Sequence, residues 1–301
     1  MPISEMKKQL GEANGWFGVS EQDALAFTES TTMAEEYVPC AACAEYPGVP
    51  KGSVLPGELV SDIYPGSKHH YSIYLPADYD TEKEYPLTVF LDGSAYMAPP
   101  VSACNVLDNL IAAGKIPAMI AVFLDAGDNG DGMPIYGGAF YGTQSNRGRE
   151  YDSIDDLFAR FLDEEFLPLA LEGYKVSEDP EKRCIVGMSS AGNAAFNVVW
   201  HHTHSFRKCI THVGSFVDIR GGHENASRIR KNPKKPIRIW MQDGENDLNI
   251  VYGDWRLGAK AMASALEYKN YDYKFTFGTG GHSFMHASAI IDEQLMWIWR
   301  D

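Results

Sequence analysis

The stretch RCIVGMSSAGNAAFNVVW, residues 183–200, contains a strand-like run, a sharp break and a helix-like run in immediate succession. The run RCIV is short and mostly apolar, as expected of a buried strand, and AAFNVVW has the composition of a buried helix. Between them, Gly187, Ala191 and Gly192 surround Ser189 with small residues, which a tight strand-to-helix turn requires. The stretch therefore predicts one β-turn-α unit with a serine at the turn.

Outward from this unit, strand-like and helix-like segments alternate along the chain. The runs LTVFL, MIAVFL and IRIWM are almost wholly apolar, as in parallel strands covered on both faces. We predict strands at residues 58–64, 69–75, 87–91, 119–124, 183–186, 208–213, 237–241 and 272–277. We predict helices at residues 101–113, 154–172, 191–201, 256–268 and 287–300. This alternation predicts an α/β protein: a doubly wound, mostly parallel sheet of about eight strands with helices on both faces.

A length of 301 residues would allow two domains at about 150 residues each. The strand count instead favours one catalytic domain at residues 57–301. Residues 1–56 are predicted to be irregular, ending in the Pro- and Gly-rich YPGVPKGSVLPGE, and to form an N-terminal arm or lid.

Composition excludes several partners. The formal net charge is −15, which argues against nucleic acid as a partner because a phosphate backbone would be repelled. The longest apolar run, residues 118–124, is far shorter than the roughly 20 residues of a membrane span. The first residues carry no apolar signal-peptide core, so we expect a cytoplasmic protein, with a trimmed secreted form left open. The oligomeric state stays open.

Neither a cofactor nor a metal ion is expected from the sequence. Cys40 and Cys43 form a CxxC pair, but no second pair follows to complete a zinc site. Cys184 and Cys209 lie in apolar runs and are expected to be buried thiols. No HExxH motif is present. We expect the histidines at the end of the helix over 191–201 to be solvated or to cap the helix; they are His201, His202 and His204.

The serine at the turn suggests nucleophilic chemistry, because G-x-S-x-G between a strand and a helix is a nucleophile elbow. Such an elbow requires an acid and then a histidine further along the chain. After the strand IRIWM comes QDGEND, in which we favour Asp247 because it lies far enough into the loop to reach across; Asp243, Glu245 and Asp254 are the competing acids. After the strand YKFTF, a glycine-rich loop presents His282. Both spacings, 58 and 35 residues, are long enough for one αβ unit each.

Acyl transfer also requires two N–H donors for the developing oxyanion. The amide of Ser190, directly after the nucleophile, is one candidate. The second is expected from the loop after LTVFL, where we favour the amide of Ser94, with Gly93 as the alternative. Among side chains near the predicted rim, His223 could line the site. Further apolar or aromatic candidates for the rim are Tyr96, Met97, Tyr136, Tyr141, Trp255 and Met285.

With these segments placed, the chain resembles the putative-esterase family of α/β hydrolases, in the branch of enterochelin-esterase-like proteins and of feruloyl and acetyl-xylan esterases. The resemblance runs from about residue 57 to the end. It is carried by YSIYLPADYD, VFLDGSAYM, GMSSAGNAAF, GSFVDIRGGH, QDGENDL and GGHSFMHASAIIDEQLMWIWRD, and by Arg147 with Glu150, Tyr151 and Asp152. Ala191 departs from the pair of glycines that is usual in the family after the elbow.

The resemblance implies an α/β-hydrolase fold with Ser189 as nucleophile, His282 as base and Asp247 as acid. It adds Arg147 and Trp255 as pocket or support residues. The implied activity is hydrolysis of a small-molecule or carbohydrate ester, of feruloyl, acetyl-sugar or siderophore type, through an acyl-enzyme. Two other functions stay open: an acyltransferase with the same triad, and a catalytically silent binding protein.

Overall fold

The computed structural model describes residues 2–14, 16–128 and 146–300. Within these ranges the chain forms one eight-stranded sheet of order β1-β2-β4-β3-β5-β6-β7-β10. Its strands are β1 (Ser53–Val60), β2 (Lys68–Leu75), β3 (Leu87–Leu91), β4 (Ile120–Leu124), β5 (Arg183–Met188), β6 (Lys208–His212), β7 (Arg238–Asn246) and β10 (Asp272–Gly281). β1, β2 and β4 pair antiparallel, and from β4 to β10 every pairing is parallel. The predicted mostly parallel sheet is confirmed.

Helices flank this sheet. They are α1 (Ile3–Asn14), α2 (Glu21–Thr32), α3 (Gly93–Met97), α4 (Ala103–Ala112), α5 (Arg147–Tyr151), α6 (Leu157–Arg160), α7 (Leu167–Ala170), α8 (Ser190–His201), α9 (Asn225–Lys231), α10 (Trp255–Tyr268) and α11 (Phe284–Ile298). Between α6 and α7 the helix passes through a π-helical turn, Phe161–Phe166. A short ribbon, β8 (Asn249–Ile250) and β9 (Gly253–Asp254), precedes α10. No helix in the described ranges is both long and apolar enough to cross a bilayer.

The hydrophobic core lies on both faces of the sheet. Every residue of β3 and β4 is buried, as the apolar runs LTVFL and MIAVFL predict, and every residue of β6 is buried as well. On one face, α8, α10 and the helix through the π turn cover the sheet, and on the other face α4 and α11 do so. This double cover places the carboxyl ends of the parallel strands at one edge, where the loops that follow them meet.

The first strand and the N-terminal residues differ from the prediction. The strand expected at residues 58–64 lies at Ser53–Val60 and so includes the Pro-Gly pair of the stretch that we predicted to be irregular. Proline is tolerated there because β1 is an edge strand. The N-terminal residues are not irregular, since they form α1 and α2. A capping box starts α2, with Ser20 and Asp23 satisfying each other's backbone N–H groups.

Candidate active site

The turn at Ser189 has the strand-to-helix geometry that the sequence predicts for a nucleophile elbow. Ser189 follows β5 directly with φ 59° and ψ −124°, a strained conformation for a residue with a side chain. Its N–H donates to the carbonyl of His212, at 2.9 Å, and its own carbonyl accepts from the N–H of Ser215. A Cβ at Gly187 would lie 2.1 Å from the carbonyl oxygen of Ala191, so only glycine fits beneath this turn.

The structure brings Ser189, His282 and Asp247 together in one hydrogen-bonded chain. Nε2 of His282 lies 2.8 Å from Oγ of Ser189, and Nδ1 lies 2.6 Å from Oδ1 of Asp247. The three residues come from the ends of β5, β7 and β10, and all are buried. Burial lowers the pKa of His282 to about 3, so the imidazole is neutral at physiological pH and can accept a proton.

A second acid, Asp243, lies next to Asp247. Oδ1 of Asp243 accepts from the N–H of Gly244 at 2.6 Å, and Oδ1 of Asp247 accepts from the N–H of Leu248 at 2.6 Å. Apart from the contact between the two carboxyls, the remaining oxygen of each is buried and has no hydrogen-bond partner within the described residues. Burial and the charge of Asp247 raise the pKa of Asp243 well above its ordinary value. Burial also raises the pKa of Asp247 to about 7, although a hydrogen bond from Asp243 opposes this rise.

The two predicted oxyanion donors differ in their surroundings. The N–H of Ser190 belongs to the first turn of α8, where N–H groups have no acceptor inside the helix. The N–H of Ser94 instead donates to Oδ1 of Asp125 at 3.1 Å, and its Oγ donates to Oδ2 of the same carboxylate. This corrects the expectation that the Ser94 amide points into the site, because a carboxylate already accepts from it. Gly93, the alternative, is needed where α3 crosses β4, since a Cβ there would lie 2.2 Å from the backbone of Phe123.

Arg147 is buried beside the triad in an ion pair with Asp92. Its Nη2 lies 2.7 Å from Oδ2 of Asp92, and its Nε lies 3.1 Å from both carboxylate oxygens. Asp92 ends β3 in the left-handed conformation, with φ 52°. The positive charge of Arg147 adds to the effect of burial in lowering the pKa of His282. A pocket or support role for Arg147 stays a prediction.

Trp255 and Tyr96 do not form the rim that we expected. Trp255 is fully buried, with its ring edge-on to His282 at 5.9 Å and its Nε1 donating to Oγ of Ser215 at 3.2 Å. Tyr96 is also fully buried, and its hydroxyl lies 2.7 Å from Nδ1 of His212. Both side chains therefore support the site from inside the core, and neither presents a surface to a substrate.

The other predicted rim residues are partly exposed or lie outside the described ranges. His223 is half exposed and pairs with Asp218, at 3.2 Å. Met97 and Met285 are half-buried. Tyr136 and Tyr141 lie outside the described residues. Substrate contact by these side chains stays a prediction.

Two residues near Ser189 and Ser190 were given no role in the site by the sequence analysis. Oγ of Ser215 lies 3.3 Å from Oγ of Ser189. Ser215 follows β6, so the rule that directed us to the ends of β7 and β10 could have found it. Asp152 lies by Ser190 and accepts from Nε1 of Trp16, at 3.4 Å. Burial raises the pKa of Asp152 to about 6, so a titrating carboxyl borders the nucleophile.

Residues from the N-terminal segment cover His282. The N–H of His282 donates to both the carbonyl and Oγ of Ser30, at 3.0 and 2.9 Å. The ring of Phe27 packs on the imidazole with centroids 6.0 Å apart. Further along, Oγ of Ser283 donates to Glu35, and Tyr37 stacks on His286 at 4.0 Å. The segment thus fixes the loop that carries the histidine.

The cysteines take no part in the triad. Cys184 and Cys209 are buried thiols, as predicted. Cys40 and Cys43 are free, with their sulfur atoms 3.6 Å apart, and both contact the carbonyl of Ser288 in α11.

Comparison with known proteins identifies the family to which this fold and site belong. Residues 63–289 match the model of the putative esterase family. This match covers most of the chain, so the protein belongs to the putative esterase family and has the α/β-hydrolase fold, as the motifs indicated.

Individual relatives are more distant. The chain is 28% identical to an iron(III) enterobactin esterase from Dickeya dadantii over 144 residues, which are 48% of this chain and 29% of that protein. This chain therefore spans less than a third of that relative. It is 21% identical over 181 residues to YbbA, an uncharacterized protein from Bacillus subtilis, covering 59% of this chain and 68% of that protein.

Solved structures show the same fold at low sequence identity. A ferulic acid esterase from Anaeromyces mucronatus superposes with a TM-score of 0.67 and 16% identity, covering 88% of this chain and 97% of that chain. An enterochelin esterase from Shigella flexneri superposes with a TM-score of 0.67 and 19% identity, covering 88% and 62%.

Proposed function

We propose that this protein hydrolyses carboxylic esters through an acyl-enzyme formed on Ser189. The observation that carries the proposal is the chain of short hydrogen bonds from Ser189 through His282 to Asp247. Each residue follows a different strand, so the fold itself holds them in reach of one another. Membership of the esterase family agrees with this assignment.

In the proposed mechanism His282 takes the proton of Ser189 as Oγ attacks the ester carbonyl. Asp247 accepts from Nδ1, which fixes the tautomer and stabilises the imidazolium that forms. The N–H of Ser190 binds the developing oxyanion. His282 then gives its proton to the leaving alcohol, and water repeats the sequence on the acyl-enzyme.

Asp243 enters the mechanism as a neutral acid. Two buried carboxylates in contact would repel each other, and the raised pKa of Asp243 favours its protonated form. A protonated Asp243 donates its hydroxyl to the oxygen of Asp247 that has no other donor in the described residues. In this arrangement Asp243 holds Asp247 in position for His282.

The substrate class is proposed from the similar proteins. Enterobactin and ferulic acid esterases with this fold favour a siderophore, feruloyl or acetyl-sugar ester. The net charge of −15 and the carboxyl of Asp152 disfavour a substrate with an anion near the scissile bond. An alcohol could replace water as acceptor, so an acyltransferase with the same triad is the second candidate.

The test is Ser189→Ala, with Ser264→Ala as its control because Ser264 is exposed on α10. We expect Ser189→Ala to lose about 10⁶-fold in kcat with p-nitrophenyl acetate and to resist a fluorophosphonate probe. The control should keep both properties. Undiminished hydrolysis by Ser189→Ala would refute the proposed nucleophile. Wild-type protein that neither hydrolyses esters nor reacts with the probe would indicate a silent binding protein.

A panel of feruloyl, acetyl-sugar and siderophore esters identifies the acyl group. The same assays with and without an added sugar or alcohol separate hydrolysis from acyl transfer, because only a transferase forms a new ester.

A further inference from the structure

A cluster of two histidines and one aspartate lies at the far end of α8 from the nucleophile. Asp163, His202 and His204 each present one ligand atom, and these atoms lie within 4.8 Å of one another. α8 has 12 residues, so at about 1.5 Å per residue the cluster is roughly 18 Å from Ser189. It is therefore separate from the triad.

Both imidazoles converge on the same carboxylate oxygen. Nδ1 of His202 lies 2.5 Å from Oδ2 of Asp163, and Nε2 of His204 lies 3.6 Å from it. The two rings are 4.8 Å apart and tilted by 36°. An ordinary histidine–aspartate pair would need only His202 beside Asp163. Because His204 also approaches the same oxygen, three potential ligand atoms lie together.

The backbone conformation at Asp163 and that after His202 bring the three side chains together. Asp163 lies in the π-helical turn Phe161–Phe166, a rare conformation that is often found at functional sites. The N–H groups of Ser205 and Phe206 both donate to the carbonyl of His202, so the chain turns sharply after α8 and brings His204 beside His202.

The other oxygen of Asp163 is held by an outer layer of hydrogen bonds. Oγ of Ser205 donates to Oδ1 of Asp163 at 2.5 Å, and Nη1 of Arg183 donates to Oγ of Ser205 at 3.2 Å. Such contacts orient the ligands of metal sites. Asp163 and His202 are mostly buried, whereas the side chain of His204 is 72% exposed, which leaves a path for an ion and a position for water.

We infer that Asp163, His202 and His204 form a zinc-binding site that ties the π turn to the end of α8. Imidazole nitrogen and carboxylate oxygen are ligands that Zn²⁺ accepts, at about 2.0–2.2 Å in tetrahedral geometry. Neighbouring ligands then lie roughly 3.3 Å apart. The distance between His204 and Asp163 is close to this, and the contact between His202 and Asp163 would lengthen as Zn²⁺ replaces the shared proton. Water completes the coordination.

The test uses the untagged full-length protein, stripped with a chelator and titrated with ZnCl₂ by calorimetry. We expect one Zn²⁺ per chain and a rise in Tm on binding. His204→Ala, an exposed substitution that should fold normally, is expected to weaken binding about 100-fold. Ser205→Ala, which removes the outer hydrogen bond, is expected to weaken it about tenfold.

His70→Ala is the matched control, because Nδ1 of His70 pairs with a single carboxylate, that of Glu58, at 3.1 Å. It should bind Zn²⁺ like the wild type. Bound Co²⁺ should show the visible absorption of a tetrahedral site in the wild type and in His70→Ala but not in His204→Ala. The inference is overturned if the stripped wild type takes up no Zn²⁺ at millimolar concentration, or if His204→Ala binds as tightly as the wild type.

Discussion

The sheet and the N-terminal segment, residues 2–52, contribute to the same site in different ways. The sheet supplies the three side chains that we propose to react, Ser189, Asp247 and His282, each placed just after the end of a parallel strand. The N-terminal segment supplies contacts to the backbone and the rings around His282, through Phe27 and Ser30. The comparison separates residues whose substitution should abolish ester hydrolysis from residues whose substitution should only lower its rate.

This difference has a physical origin. Ser189 and Asp247 follow β5 and β7, which each pair with a neighbour on both sides, and His282 follows the edge strand β10, which pairs with β7. The sheet therefore fixes where these strand ends meet. α1 and α2 rest on a small apolar cluster that includes Trp16, Phe27, Leu248 and Trp255. The N-terminal segment positions His282 through a few hydrogen bonds of ordinary strength, those between His282 and Ser30.

The largest expected effect distinguishes the two acids of the sheet. Asp247→Asn should lower kcat about 10⁴-fold, because an amide in place of the carboxylate favours the wrong tautomer of His282. Asp243→Asn should remain within a few-fold of the wild type, since its amide can still donate to Asp247 and its oxygen can still accept from Gly244. Steady-state hydrolysis of p-nitrophenyl acetate measures both.

Asp243→Leu is the control for this pair, because it keeps the branching at Cγ and removes the donor. We expect it to lower kcat more than Asp243→Asn does. If Asp243→Asn alone abolished activity, Asp243 would be the acid of the triad and our assignment would be wrong.

The contrast between the regions also explains what the sequence could predict. Ser189 follows the short run RCIV, Asp247 follows the apolar run IRIWM and His282 follows YKFTF, so predicted strand ends and the chemistry of the loops after them locate all three residues. The strand at Ser53–Val60 was misplaced because its proline and glycine are tolerated only at a sheet edge, which the sequence does not reveal.

Other features depended on long-range packing. α2 covers His282 through contacts with residues about 250 positions away, and no local pattern encodes these. Tyr96 and Trp255 illustrate the converse error: aromatic residues next to catalytic loops were expected at the rim, yet both are buried. The carboxylate of Asp125 accepts a hydrogen bond from the N–H of Ser94. The two residues are 31 positions apart, so no local sequence pattern indicates this contact.

A second prediction tests the polar core of the sheet through the pH dependence of stability. Burial lowers the pKa of His212 to about 4, and its Nε2 lies 2.7 Å from Oε1 of Gln294. In the unfolded chain His212 has a pKa of about 6.5 and binds a proton as the pH falls below 7. In the folded chain the buried His212 stays neutral until about pH 4. The free energy of unfolding therefore falls as the pH drops from 7 towards 4. This histidine should remove about 2 kcal/mol of stability between pH 7 and pH 5.

Urea unfolding of His212→Gln against the wild type isolates this contribution from the other titrating groups. The stability deficit of the variant should be smaller at pH 5 than at pH 7 by about 2 kcal/mol. Tyr96→Phe, which removes only the hydroxyl that contacts His212, should cost the same at both pH values. Equal deficits for His212→Gln at pH 5 and pH 7 would contradict the lowered pKa.

The smallest expected effect lies in the N-terminal segment. Oγ of Ser30 donates to the carbonyl of Asn246 at 2.7 Å and accepts from the N–H of His282, so one hydroxyl joins the loops after β7 and β10. Ser30→Ala removes about 1 kcal/mol of hydrogen bonding, which corresponds to a loss of about fivefold in kcat if all of it acts on the position of His282. Thr32→Ala on the same helix is the control, because that hydroxyl bonds only within α2, to the carbonyl of Thr28. Ser30→Thr, which restores a hydroxyl, should recover most of the rate. A wild-type kcat for Ser30→Ala, or an equally slow Thr32→Ala, would contradict this prediction. The N-terminal segment would then only cover His282, and the sheet alone would position the histidine.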